Sequence, residues 1–211
     1  MAAPKPSAEQ FVPKNATLPT LKAAASGCTA CPIHQLGGAT VFGVGDGHSP
    51  LMLVGEQPGD QEDKQGLPFV GPSGRLLDQA LESAGIVRSA AYVTNVVKHF
   101  KWEPRGKRRI HSKPSASEIQ ACKPWLEHEI ELIKPKVVVA LGSTAAMALF
   151  GKDFRVTKSR GEPVPTKLAP HGLATIHPSA ILREVDENLR NIQMESFIKD
   201  LSVAARLLAV M

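Results

Sequence analysis

Four short apolar runs divide the chain: Pro50–Gly55 (PLMLVG), Ala91–Val97 (AYVTNVV), Lys136–Gly142 (KVVVALG) and Gly172–Ile176 (GLATI). Each is continuous rather than alternating, the pattern of strands buried on both faces of a parallel sheet. They are too short and too β-branched for helices. Segments of helical period lie between them. Gly74–Ala84 sets Leu76, Leu77, Ala80, Leu81 and Ala84 on one stripe. Ser115–Ile133 opens with a Ser-x-x-Glu cap at Ser115 or Ser117 and continues with Ile119, Cys122, Leu126, Ile130 and Ile133. Ser143–Phe150 follows the third run, and Asp186–Ala209 closes the chain as an amphipathic helix. Alternating strands and helices predict a three-layer α/β/α sandwich around a central four-stranded parallel sheet.

The 211 residues suffice for one well-cored domain. We assign it to residues 17–211, behind a flexible arm over 1–16 in which Pro and polar residues break any apolar core. No stretch is long and apolar enough to span a membrane. Three cysteines do not make a disulfide framework, which points to a reducing compartment such as a bacterial cytoplasm. A monomer is expected.

Charge changes this picture more than composition does. Residues 98–113 (KHFKWEPRGKRRIHSK) hold seven Lys or Arg against one Glu, so this segment accounts for the whole net charge of +5. Such concentration suits contact with phosphates, the alternative being a solvated basic loop without a partner.

Ligands of open parallel sheets bind at the carboxyl ends of the strands. The first run leads into Glu56-Gln57-Pro58-Gly59-Asp60 and the second contains Asn95. The third leads into Gly142-Ser143-Thr144, a helix start whose amides can hold a phosphate. The fourth leads into His177-Pro178-Ser179. Singly, each has a bland use: Asn95 as a turn cap, His177 as a satisfied core residue. Together they bring a carboxylate, two amides and an imidazole to one crevice. Cys28-x-x-Cys31 with the distant Cys122 and a histidine suits structural zinc or an iron–sulfur centre, and spacing alone does not separate the two. Gly43–Gly47 precedes its strand and lacks a closing Lys-Ser/Thr, so it reads as a turn, not a phosphate loop. Tyr92, Trp102 and Trp125 read as packing residues, with Trp102 also placed to touch a ligand of the basic loop.

From about Cys28 onward the chain resembles the uracil-DNA glycosylase superfamily, above all its iron–sulfur family 4 branch and the UdgX-type relatives of that branch. The resemblance rests on Gly55–Gly59 (GEQPG), Gly66–Gly74 (GLPFVGPSG), Val93-Thr94-Asn95, the basic Lys107–His111 (KRRIH) and His177-Pro178-Ser179, in family order. It implies uracil-containing DNA as partner, single-stranded first and double-stranded second, and with it association with the nucleoid. Phe69 is then the stacking floor for the base and Asn95 reads its N3–H and O4 edge. His177 donates to a uracil oxygen as charge develops there. Ser73 and Ser179 bind backbone phosphates, or serve only as helix caps; Asp60 and Arg109 complete the substrate contacts. Gln57 stands where these enzymes usually carry a water-positioning carboxylate, and a neutral amide handicaps hydrolysis. The UdgX-type loop implies instead that His111 attacks C1′ and stays bonded, with Glu56 taking its other proton. Two alternatives remain open: a conventional turning-over glycosylase using water, with His111 on a phosphate, and a non-catalytic binder. The resemblance favours a [4Fe–4S] cluster over zinc, held by Cys28, Cys31, Cys122 and His99, with His34 the second choice for the last ligand.

Overall fold

The computed structural model describes residues 6–210. In chain order the elements are α1 (Leu18–Ala25), β1 (Leu51–Gly55), α2 (Asp60–Gln65), α3 (Pro72–Ser83), β2 (Ala91–Asn95), β3 (Trp102–Arg105), β4 (Arg108–His111), α4 (Ala116–Ile133), β5 (Val137–Leu141), α5 (Ser143–Phe150), α6 (Val156–Ser159), β6 (Pro163–Val164), β7 (His171–Thr175), α7 (Pro178–Arg183) and α8 (Glu187–Ala209). The main sheet runs β2-β1-β5-β7-β6. Its first four strands are parallel, as the apolar runs predict, and β6 adds a two-residue antiparallel edge. Pro163–Val164 has no apolar run to announce it, which is why the sheet has five strands and not four.

Alternate residues of each strand serve opposite layers. Leu51, Leu53, Val93, Val139 and Leu173 pack against Leu77 and Leu81 of α3 and Phe197 and Leu201 of α8. Met52, Val54, Tyr92, Val138 and Ala140 face Trp125, Leu126 and Ile130 of α4. Of the arm expected over 1–16, residues 1–5 lie outside the described residues. From Ser7 onward the chain is packed: a 3-10 turn over Ala8–Phe11 buries Ala8, and Phe11 and Val12 lie on the α4 side of the core.

Register brings the strand ends level. Gly55 pairs with Asn95 and Leu141 with Thr175, so Glu56, Asn95, Ser143 and His177 emerge at one rim. The basic segment is an antiparallel ribbon, β3–β4, with Trp102 opposite His111 at its base and Arg105 opposite Arg108 at its tip. Gly106 (φ +61°) is the first of the two turn residues. A positive φ there matches the twist of a two-residue hairpin at no steric cost to glycine. At the foot of the ribbon, Ser115 and Glu118 form the capping box of α4, and Glu118 also accepts from Lys101 Nζ at 2.8 Å.

Candidate active site

A cavity of about 650 Å³ opens at the carboxyl ends of the parallel strands, walled by Glu56, Phe69, Asn95, His111, Thr144 and His177. Its size suits one small ligand or an extruded base. Glu56 leaves β1 at its centre. His111 Nε2 lies 3.3 Å from Glu56 Oε1, and Thr144 Oγ1, in the first turn of α5, donates a short hydrogen bond to Oε2. Burial works to raise the Glu56 carboxyl, but the bonds from His111 and Thr144 outweigh it and hold the group below its ordinary value. Glu56 is therefore an anion with both oxygens engaged. The His111 side chain remains 51% exposed, so its ring can reach a ligand in the cavity.

The ribbon that carries His111 is fastened from three sides. Gln57 Nε2 donates to the carbonyls of Ser112 (3.0 Å) and Lys101 (3.3 Å), and its Oε1 accepts from Lys101 N at 3.0 Å. The whole amide is spent on the ribbon's base. Arg109 Nε donates to Asp60 Oδ1 at 2.7 Å and Nη1 to Asp63 Oδ2 at 2.6 Å. Its guanidinium also lies over the rings of Phe100 and Trp102, at 5.4 and 5.6 Å from their centroids. Lys64 and Arg109 together hold the Asp60 carboxyl below the usual range. Arg109 and Asp60, both expected to meet substrate, are each other's partners, and Asp60 also lines the cavity. The exposed cations of the ribbon are Arg105, Lys107 and Arg108, all near its tip.

His177 caps α7 through its own ring: Ser179 N donates to Nδ1 at 3.1 Å, and Ser179 Oγ stands 2.8 Å from the same atom. A nitrogen that accepts a backbone N–H carries no proton, so the neutral ring has its hydrogen on Nε2. Burial pushes His177 down to about 4, with Arg183 and His111 adding to the effect against the pull of Glu56. At neutral pH it is an uncharged donor. Ser179 Oγ also accepts from Arg183 Nη1 at 3.0 Å, so this hydroxyl orients the imidazole; Ser73 is half-buried on the cavity wall. The Phe69 ring stands 5.9 Å from that of His177, on a backbone with φ +54°, unusual for a bulky side chain and a form of strain that accumulates at ligand sites. Asn95 is 2% exposed and its Oδ1 is buried without a hydrogen-bond partner. That leaves an unmet acceptor on the cavity wall.

Cys28, Cys31 and Cys122 are buried free thiols in one core. Trp125 Nε1 donates to Cys28 Sγ and Lys98 N to Cys122 Sγ, both at 3.3 Å. Burial pushes the Cys122 thiol up to about 12 and raises Cys31, and Cys28 adds to both. Thiols in such surroundings become thiolates when a metal supplies the positive charge. Buried His99 is held neutral, mainly by desolvation, and its Nε2 lies 2.9 Å from Thr40 Oγ1. His34 Nδ1 lies 2.5 Å from the carbonyl of Cys31. Among the described residues no three His, Cys, Asp or Glu side chains converge closely enough to hold a single metal ion. The donor set, three buried thiols with two N–H bonds already aimed at sulfur, is of the chemical kind that holds an iron–sulfur centre.

A doubly covered, mainly parallel sheet thus gathers an aromatic ring, an amide with an unmet acceptor and a neutral imidazole donor around one cavity at the carboxyl ends of its strands. The sequence profile of the Uracil DNA glycosylase superfamily matches residues 42–202, and the chain belongs to that superfamily. It is 40% identical to the Type-4 uracil-DNA glycosylase of Thermotoga maritima, over 82% of this chain and 86% of that one. It is 36% identical to the Type-4 uracil-DNA glycosylase of Sulfurisphaera tokodaii, over 90% and 87%. A Type-5 uracil-DNA glycosylase of Thermus thermophilus is 30% identical over 79% of this chain and 80% of its own. Among the described residues no helix is long and apolar enough to cross a membrane.

Proposed function

We propose that this protein excises uracil from DNA and that His111, in the manner of UdgX-type proteins, captures the sugar and leaves the chain covalently bound to the abasic strand. The relatives named uracil-DNA glycosylases support excision. Capture is carried by one observation: the Glu56–His111 pair stands at the cavity mouth beside Phe69, Asn95 and His177.

Uracil stacks on Phe69, gives its N3–H to the unmet Asn95 Oδ1, and accepts at O4 from the Asn95 amide. As the C1′–N1 bond breaks, its electron pair leaves with the base, and His177 Nε2–H donates to the carbonyl oxygen that gathers the charge. One such donor is worth about 3 kcal/mol. The lone pair of His111 forms the new bond to C1′ while the proton on the ring nitrogen facing Glu56 passes to that carboxylate. The alkylated imidazole ends neutral, and solvent protonates the released uracil anion. Gln57 has no free group with which to direct water, which favours the imidazole as nucleophile. The tip cations Arg105, Lys107 and Arg108 meet phosphates. Cys28, Cys31, Cys122 and His99 hold a [4Fe–4S] cluster that ties the N-terminal segment to α4 and the foot of the ribbon, since glycosidic cleavage moves no electrons to an acceptor.

Purified protein mixed with uracil- or thymine-containing single strands and run on denaturing gels tests this. The uracil strand should give an SDS-stable adduct, and His111→Ala should lose the adduct while still releasing uracil. Adduct that persists in His111→Ala overturns capture; absence of uracil release from both proteins overturns excision. Absorbance at about 400 nm supports the cluster, and a colourless protein with stoichiometric zinc refutes it.

A further inference from the structure

Lys98 belongs to the basic segment by sequence but not by position. Its side chain is 1% exposed, and Nζ donates to Glu129 Oε2 (2.5 Å), Thr94 Oγ1 (2.7 Å) and the backbone carbonyl of Asn95 (2.8 Å). Glu129, from α4, is fully buried and also accepts from Tyr92 Oη at 2.8 Å, Thr94 Oγ1 at 3.0 Å and Gly43 N at 3.1 Å. Gly43 is required there, because a Cβ would fall 2.2 Å from Tyr92 Oη and 2.4 Å from Glu129 Oε1. Every donor of the ammonium is used. A buried ion pair is weak evidence for stability, since apolar residues in its place are often no worse, and a site-specific role has to be sought in what the charges hold.

What they hold is the end of β2. This strand is one edge of the sheet, and at Val93 and Asn95 its backbone groups turn away from β1. Val93 finds a partner there, exchanging both hydrogen bonds with Val44. Two residues on, none of the described strands lies on the outer side of Asn95, and Lys98 Nζ takes the carbonyl instead. We propose that Lys98, braced by Glu129, is a positioning residue: it fixes the last peptide of β2 so that the Asn95 side chain meets the base edge at the correct height. This rests on Asn95 being the uracil reader.

Asn95→Ala, Lys98→Met and the charge-free Lys98→Met/Glu129→Gln, which keeps an acceptor for Tyr92 and Gly43, separate the possibilities. The measurements are single-turnover uracil release, affinity for a strand carrying a tetrahydrofuran abasic analogue, melting temperature and absorbance at about 400 nm. The double variant should release uracil about tenfold more slowly or at higher half-saturating DNA, the loss of one well-aligned hydrogen bond. It should keep its absorbance and its affinity for the abasic analogue, which offers Asn95 nothing to read. Uracil release within twofold of wild type, with Asn95→Ala impaired, overturns the positioning role. So does a deficit that merely follows lost absorbance or applies equally to the abasic analogue. Full activity of Asn95→Ala overturns the reading of Asn95, and the role of Lys98 with it.

Discussion

His111 Nε2 lies 3.3 Å from Glu56 Oε1, although one residue ends the ribbon strand β4 and the other leaves the buried strand β1. The pairing orients the imidazole and, in the proposed capture, gives its proton a destination. Glu56→Gln keeps the shape and removes the base. Capture of the sugar by His111 should slow by about a hundredfold, the usual worth of a positioned general base. Uracil release, which in the proposed mechanism draws on Asn95 and His177, should slow less. Quenched time courses that follow adduct and free uracil separately check this, and equal losses in both would assign Glu56 to bond cleavage instead.

Thr144 holds the far oxygen of the same carboxylate. The carboxyl sits low because hydrogen bonds to His111 and Thr144 overcome the cost of burial. Thr144→Val removes one donor at constant shape, so the Glu56 value should rise. In the proposed mechanism capture needs the carboxylate, and its acid limb should therefore shift to higher pH. Thr144→Ser should restore the wild-type profile. Unchanged limbs in all three proteins would show that Thr144 only fills space.

The four parallel strands and their helices were legible because strands buried on both faces need unbroken apolar runs. So was the meeting of Glu56, Phe69, Asn95 and His177 at one cavity, since they stand at the ends of those strands or in the glycine-rich turns beside them. The ribbon was not. Trp102–Arg105 (WEPR) has no alternation of its own, and the ribbon is held through Lys101, Arg109 and Ser112 by distant side chains: Gln57, Asp60, Asp63 and Glu118. For the same reason the basic segment looked more available than it is. Lys98 is spent on Glu129, Lys101 on Glu118, and Arg109 on Asp60 and Asp63. Local charge shows a possible phosphate partner, but only tertiary packing shows a carboxylate already in place. Thr144 stood inside Gly142-Ser143-Thr144, where a helix start suggested phosphate; that its hydroxyl points at Glu56 depends on the β1–β5 pairing.

Gln57 tests whether the ribbon's attachment governs capture. Its three bonds fix the backbone of Lys101 and Ser112, the residues flanking β3 and β4 at the ribbon's base. Gln57→Ala leaves those groups to solvent at a cost of about 1 kcal/mol each or less. The fold should survive, while His111 spends less time facing the cavity. Adduct yield per uracil released should fall about tenfold, and water should take the sugar in the remainder, giving free abasic product. If Gln57→Ala partitions as the wild type does, the ribbon is held well enough by Arg109 and by the Lys101–Glu118 pair.

His177 makes a prediction about pH with two separate signs. Burial drives its ring down to about 4, and the Ser179 N–H fixes the proton of the neutral form on Nε2. Catalysis by this donor is therefore complete well above pH 4 and does not need an imidazolium. His177→Asn should slow uracil release by about a hundredfold, and by the same factor at every pH from about 5.5 to about 8. Stability behaves otherwise. Between 6.5 and about 4 the unfolded chain holds the proton that the folded chain refuses. Wild-type stability is thus full above 6.5 and declines as pH falls through that window, because the unfolded state binds more protons there. Melting temperatures of His177→Asn should fall less steeply over the same range. A rate deficit that grows as the solution is acidified would instead identify a charged ring as the working form.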